Sequence, residues 1–176
     1  MKLYFVRHGE AHDLAPSDHE RELTERGKVR VENAANVLKT IGISPSVIYS
    51  SPRIRAKQTA EIIARVLGLT VTFDDNVNFG FDVLHVDAFV QPLASKDEVM
   101  FVGHNPDMSQ IVHKMTGASV SMKKGGVARI DLISTKARRG ELVWLIAPKV
   151  FDALYSPSDA DDASDSDDSP TPLGRL

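Results

Sequence analysis

Four apolar residues in a row, Leu3 to Val6, suit a short buried strand, and the run stops abruptly at Arg7, His8 and Gly9. The next stretch, Glu10 to Glu22, is polar. Thr24 is then placed to cap a helix reaching about Thr40, with Val31, Ala34, Ala35 and Leu38 on one face at spacings of three and four. Val47 to Tyr49 reads as a second strand, ended by Ser50-Ser51-Pro52. Pro52 suits the first turn of a helix that buries Ala56, Ala60, Ile63, Ala64 and Leu67 and stops at Gly68. Val71 to Phe73 is a candidate third strand, and Val86, Phe89, Val90 and Leu93 mark a helix whose end Pro92 disturbs. Val99 to Val102 is a strong strand, broken by Gly103-His104-Asn105-Pro106. The helix after it turns Met108, Ile111, Val112 and Met115 inward and closes at Gly117. Val127 to Ile133 and Glu141 to Ile146 read as two more strands, bounded by the turn-like segments Lys124-Gly125-Gly126 and Ala137 to Gly140, and suited to a hairpin at one sheet edge.

Strands alternating with helices predict a three-layer α/β/α sandwich with a mostly parallel central sheet. The chain has 176 residues, enough for one domain with a sizeable core, expected over residues 1–155. From Ser156 the composition turns to Asp, Ser and Pro. Such a segment cannot bury enough surface to offset its ordering entropy, so 156–176 is expected to be an acidic disordered tail. The tail also makes the formal net charge of −3 misleading, because it carries six aspartates and one arginine. The remainder, with 20 basic and 18 acidic residues, is close to neutral and gives no electrostatic case for nucleic acid. With no cysteine in the chain, disulfides, thiolate catalysis and cysteine-ligated metals are excluded. The first strand follows Met1 with no signal-peptide pattern and no apolar run is long enough to span a membrane, so a cytoplasmic protein without membrane association is the expectation.

Three segments carry chemistry, each at a strand end or helix start: Arg7-His8-Gly9, the run from Ser50 to Ala60 containing Arg55, and Gly103-His104-Asn105-Pro106. Ligands of open α/β sheets bind outside the carboxyl ends of the strands. Gly9 is read as letting the chain turn without steric cost. Each segment alone has an ordinary explanation, respectively a surface pair, a solvated arginine and a capped turn. Their occurrence at equivalent strand ends of one pattern outweighs those explanations. Two histidines, two arginines and a nearby helix amino terminus suit an anion that reacts, such as a phosphoryl group.

The Arg-His-Gly-Glu motif at Arg7, the Ser-Ser-Pro-x-x-Arg-Ala-x-Gln-Thr-Ala motif at Ser50, the Gly-His-Asn motif at Gly103 and the segment Glu22-Leu23-Thr24-Glu25-Arg26-Gly27 resemble the histidine phosphatase superfamily, which includes the phosphoglycerate mutases. The resemblance covers roughly residues 1 to 150 and is most similar to the small SixA-type phosphohistidine phosphatases. It implies the phosphoglycerate mutase-like fold and a phosphoenzyme mechanism. His8 would be the nucleophile, its other ring nitrogen held by a backbone carbonyl near Gly9. Arg7 and Arg55 would bind phosphate oxygens, His104 would add a donor, and Asn105 would join the substrate site. No metal or other cofactor is required by that mechanism. A phosphate or vanadate anion would fit the site, and the substrate would be a phosphorylated protein such as a histidine phosphotransfer domain, while a phosphocarrier protein or a small phosphorylated metabolite fits equally well chemically; a monomer is the default expectation.

Two departures from the family pattern bear on substrate. Many members carry a glutamate general acid after the third strand, whereas here that region reads Asp74-Asp75-Asn76-Val77-Asn78-Phe79-Gly80-Phe81-Asp82, with no glutamate between Glu61 and Glu98. An alkoxide leaving group needs a proton donor, but phosphohistidine can leave as neutral imidazole once its nitrogen is protonated, so the gap favours phosphohistidine. Asp18 and Glu10 are the candidate substitute acids. Many relatives also carry an asparagine about six residues beyond the histidine, where Leu14 stands here. Two rival readings are a metal-dependent hydrolase using His8, Glu10, His12 and Asp13, and a non-catalytic module that binds a phosphorylated ligand. The basic cluster of Lys123, Lys124, Lys136, Arg138 and Arg139 reads as solvated turns, with docking of an acidic partner as the alternative.

Overall fold

The structure is a computed structural model that describes residues 1–134 and 138–155. The expected acidic tail and the residues Lys136 and Ala137 lie outside the described residues. Six strands form one sheet: β1 (Lys2–Arg7), β2 (Val47–Ser50), β3 (Val71–Phe73), β4 (Glu98–Gly103), β5 (Val127–Ser134) and β6 (Arg139–Ile146). The spatial order is β3-β2-β4-β1-β5-β6. The first four in that order are mutually parallel, and β5 pairs antiparallel with both β1 and β6, giving the expected edge hairpin. Among the described residues five α-helices accompany them: α1 (Glu25–Thr40), α2 (Ile54–Leu67), α3 (Val83–Val90), α4 (Asp107–Thr116) and α5 (Pro148–Leu154).

Strand β1 explains the three layers. Its apolar run is buried on both faces, as expected for a strand inside an α/β sheet. Tyr4 and Val6 face a core completed by Ala34, Leu38, Ile63 and Phe151 from α1, α2 and α5. Leu3 and Phe5 face the opposite core, with Val86 and Val90 of α3 and Ile111 and Met115 of α4. The fold is therefore a three-layer α/β/α sandwich with a mostly parallel sheet, and no described helix is long and apolar enough to cross a membrane.

Local chemistry sets the helix limits. Thr24 caps α1 by accepting a hydrogen bond from Gly27 N–H at 2.9 Å. Gly68 and Gly117 end α2 and α4 at φ of 72° and 78°, in the left-handed region where a side chain would be strained. Four sequence expectations need correction. Pro52 is not in the first turn of α2, which starts at Ile54 with Arg53 as its extended N-cap. Helix α3 ends at Val90, before Leu93, and Leu67 is only partly buried. Arg139 and Gly140, read as turn, belong to β6. Helix α5 was not foreseen, although Pro148 at its start is an amino-terminal signal. It buries Phe151 and is tied to α1 by Arg30 and Asp152, 2.7 Å apart.

Candidate active site

Strand order β2-β4-β1 brings the three chemical segments side by side at one sheet edge. Arg7 is in register with Gly103, and Ser50 with Val102. The backbone continues the pairing beyond the strands: His8 N–H donates to Gly103 O at 2.9 Å and Ser51 N–H to Val102 O at 3.0 Å. Gly9 is held by Thr59 of α2, whose Oγ1 accepts from Gly9 N–H at 3.0 Å and donates to Arg55 O at 2.7 Å. Gly9 does not serve as the freely turning residue read from the sequence, since its φ is not positive. Glycine is needed there because a Cβ would come within 2.8 Å of Val31 Cγ2. Gly27 has the same role on α1, where a Cβ would collide with Glu10 O. The two glycines let α1 pack directly against the loop that carries His8.

His8 is 7% exposed. Its Nδ1 is 2.8 Å from Gly9 O, and a carbonyl only accepts, so Nδ1 carries the proton. The lone pair is then on Nε2, which faces Arg55 Nε at 3.3 Å. Arg55, 3% exposed, also donates to Asp18 O at 2.6 Å and Asp18 Oδ2 at 3.1 Å. Arg7 donates to Met122 O at 2.8 Å, and its buried Nε has no partner. The His104 ring centre lies 5.2 Å from that of His8. His104 Nε2 is 2.8 Å from Ser51 Oγ, while its buried Nδ1 has no partner. Ser51 Oγ already accepts from Arg53 N–H at 3.3 Å. The Ser51 hydroxyl, one donor and two acceptor lone pairs, therefore joins the His104 ring to the start of α2. Asn105 donates to Met122 O at 3.2 Å, the carbonyl that also holds Arg7.

Electrostatics keeps both rings neutral at pH 7. Burial pushes the His8 imidazole down to about 3 against a lift from the Gly9 carbonyl, and the charges of Arg55, Arg7 and Lys124 act with burial. Burial also pushes His104 down to about 3, helped by His8, Arg55 and Arg53. The site therefore presents an unprotonated imidazole nitrogen inside a cationic pocket, a combination suited to attack on a dianionic phosphoryl group.

The two candidate acids occupy different places. Asp18 is ion-paired to Arg55, Arg53 and Arg21. Its slight burial pushes its carboxyl upward, but hydrogen bonds from Arg21 and Arg55 and the charges of Arg55 and Arg53 outweigh this and hold it below the ordinary value. Asp18 is thus a carboxylate at neutral pH. Glu10 lies on the other side, in a groove with Arg7, Arg30 and Lys124. After β3, Asp74 and Asp82 are engaged as caps, accepting from Asn76 N–H at 2.8 Å and from Leu84 N–H at 2.9 Å. The metal-ligand reading of His8, Glu10, His12 and Asp13 is overturned by position. Asp13 is exposed beside Arg21, and among the described residues no group of three His, Asp or Glu is close enough to hold an ion. Leu14 is 91% exposed and has no place in the site.

Residues 3–78 match the model of the histidine phosphatase superfamily, branch 1. An uncharacterized protein of Picosynechococcus sp. is 35% identical over 167 residues, covering 85% of this chain and 98% of the relative. The chain belongs to the histidine phosphatase superfamily. The structure of the protein histidine phosphatase SixA complexed with tungstate matches this histidine phosphatase with a TM-score of 0.77 and 25% identity, covering 85% of this chain and 99% of SixA. A protein assigned as phosphohistidine phosphatase SixA in Agrobacterium tumefaciens gives a TM-score of 0.72 and 25% identity, with 84% and 98% covered. The chain is SixA-like, and its activity is that of a phosphatase.

Several site residues of this histidine phosphatase do not stand out in the sequence. Ser51 holds the His104 ring through Nε2, Thr59 holds Gly9, and Met122 supplies the carbonyl shared by Arg7 and Asn105. Arg53 bonds Asn78 Oδ1 at 2.7 Å and lies 4.3 Å over the ring of Phe79, which is 4.8 Å from the His104 ring. Phe79 is 51% exposed, and an apolar residue between Asn78 and Gly80 in a polar loop is the signal that could have found it. Ser51, Arg53 and Thr59 fall inside the Ser50–Ala60 motif, where the sequence gives a role to Arg55 alone.

Proposed function

We propose that this histidine phosphatase removes the phosphoryl group from phosphohistidine on a protein, by way of a phosphoryl group carried on His8. The observation that carries the reading is the pair of contacts around His8. The Gly9 carbonyl fixes the proton on Nδ1 and the guanidinium of Arg55 stands at Nε2. In the first step the Nε2 lone pair forms a bond to phosphorus as the bond to the substrate's nitrogen breaks. The departing imidazole, protonated from solvent on its other nitrogen, leaves neutral. Arg7, Arg55 and His104 take the three phosphoryl oxygens, each preorganised donor being worth about 10²–10³ in rate. In the second step water bonds to phosphorus, the Nε2–P bond breaks, and the water proton passes to phosphate or solvent. His8 returns to its starting tautomer. That SixA is found complexed with tungstate supports an oxyanion as a ligand of this fold.

Support for the substrate class comes from the ionised state of Asp18 and the capping duties of Asp74 and Asp82. None of these is set to protonate an alkoxide, and an imidazole leaving group does not need it. The test is phosphate release from a phosphohistidine protein and a phosphomonoester panel side by side. Phosphohistidine and aryl phosphates are expected to turn over, and 3-phosphoglycerate and simple alkyl phosphates to be poor. Efficient alkyl phosphate hydrolysis would sink the substrate reading, and an acid-labile label trapped anywhere but His8 would sink the mechanism.

A further inference from the structure

A groove of about 530 Å³ opens beside the catalytic pocket and shares Arg7 with it. Its other polar walls are Glu10, Arg30, Lys123, Lys124 and Lys149. Three elements hold these charges in place. The turn carrying Lys123 and Lys124 is bolted to the His8 segment, because Gly125 N–H donates to Arg7 O at 3.0 Å and His8 O at 2.9 Å, and Arg7 N–H donates to Gly126 O at 3.1 Å. The first turn of α5, with Lys149, packs on that turn: a Cβ on Gly125 would touch Pro148 at 3.5 Å. Arg30 comes from α1 and is compensated by Asp152.

The remaining cations are not compensated. Among the described residues, Arg7, Lys123, Lys124 and Lys149 have no carboxylate partner, and Glu10 is the one carboxylate in the lining. Elsewhere arginines 21, 53, 65, 129 and 138 are each paired to an acid, whereas Arg26, Lys39, Lys96, Lys114 and Arg139 also have no carboxylate partner among the described residues; what sets the groove apart is that its unpaired cations line one concavity. Lys124 is close enough for its charge to act on His8. A concave surface lined by one sign of charge focuses its field and raises the local concentration of the opposite charge.

We infer that this groove is a docking site for a carboxylate-rich segment of the same protein that presents the phosphorylated residue. The shared residue Arg7 decides for that occupant. A segment in the groove leads directly to the nucleophile, so a substrate with acidic side chains near its phosphohistidine fills both at once. The inference rests on the phosphohistidine reading and adds its sequence selectivity.

The test uses the full chain and two arms. In the first, a labelled, unphosphorylated aspartate-rich peptide is titrated at low salt and at about 0.5 M salt, with a lysine-rich peptide as control. The aspartate peptide is expected to bind, to lose affinity with salt, and to bind about tenfold more weakly to Lys123→Glu/Lys149→Glu. Lys124 is left intact because its charge reaches His8. In the second arm, kcat/KM is compared for phosphohistidine peptides flanked by aspartate or by lysine. The wild-type ratio is expected to favour the aspartate peptide about tenfold and to fall toward one in the double variant. Unchanged thermal unfolding of the variant checks that it is folded. Lack of aspartate-peptide binding, the result expected if the chain's own six aspartates beyond Tyr155 occupied the groove, overturns the inference. So does turnover of both peptides at equal rate. Salt-sensitive binding with turnover of neither peptide would overturn the substrate reading and leave the groove's ligand standing.

Discussion

Acidification should weaken this protein well above the pH at which its carboxylates titrate, and the two active-site histidines set the size of the effect. In the unfolded chain each imidazole takes up a proton near 6.5, whereas in the folded protein burial holds His8 and His104 down to about 3. Above 6.5 both states are neutral at these positions and stability does not depend on them. As pH falls from 6.5 toward 3 the unfolded state binds protons that the folded state refuses, so stability is progressively lost. At pH 5 the unfolded state gains about 1.5 pH units of proton binding per ring. That corresponds to about 2 kcal/mol for each histidine and about 4 kcal/mol for the pair. Against a typical total of about 5–15 kcal/mol, this is large. Urea unfolding at pH 7.5, 6.5, 5.5 and 5.0 reads it directly. The control is His8→Asn, whose amide can still donate to Gly9 O, and His104→Gln, whose terminal amide reaches the Ser51 hydroxyl. Each single variant is expected to remove about half of the loss between pH 7.5 and 5.0. A wild-type stability that is flat over this range, or variants that keep the full slope, would refute the assignment of both rings as buried and neutral.

Other outcomes are open to simpler measurement. Arg55→Ala should lower both kcat and kcat/KM by about 10²-fold or more, because its guanidinium faces the nucleophile and not a remote part of the substrate, and loss of apparent affinity alone would contradict this. Thr59→Val leaves the Gly9 N–H buried without an acceptor and should cost about 1–3 kcal/mol in thermal unfolding, with Thr59→Ser restoring most of it. Gly27→Ala should destabilise the fold and reduce activity together, since a Cβ there strikes the backbone of Glu10 and forces α1 away from the His8 loop; an active, fully stable variant would show the packing to be looser than described. Vanadate should inhibit, and a chelator should leave phosphate release unchanged.

The quartet proposed for catalysis was brought together in the sequence because Arg7, His8 and His104 lie at or just beyond strand ends and Arg55 lies in the first turn of the helix that follows β2. Apolar runs at Leu3 to Val6 and Val99 to Val102 identify central strands, and an α/β sheet gathers the residues at the carboxyl ends of such strands along a single edge. The Gly9 carbonyl contact is implied by the family resemblance and is found at 2.8 Å. The residues that hold the quartet were less visible, since their partners are remote in sequence. Thr59 meets Gly9 across 50 positions, Ser51 meets His104 across 53, and Arg7 meets Met122 across 115. No local period or motif encodes such pairings. Helix α5 escaped for a related reason. Seven residues are too few for a helical period to declare itself, and its stability comes from docking Phe151 and Asp152 onto α1.

The same distinction explains why the sequence suggests the wrong role for Gly9. In isolation a glycine after a strand suggests a turn, and conformational freedom is the usual reason for one. The structure replaces that reason with proximity. Gly9 and Gly27 lie where α1 meets the nucleophile loop, and at both positions it is the missing Cβ that matters. Close approach has a chemical consequence. It buries His8, and burial is the first cause of its low proton affinity, ahead of the arginine charges. A looser contact would admit water, raise the fraction of imidazolium near neutrality, and remove the lone pair that Nε2 needs to attack. In the proposed mechanism, helix packing on the side of His8 away from the substrate is thereby part of what would make this imidazole a nucleophile.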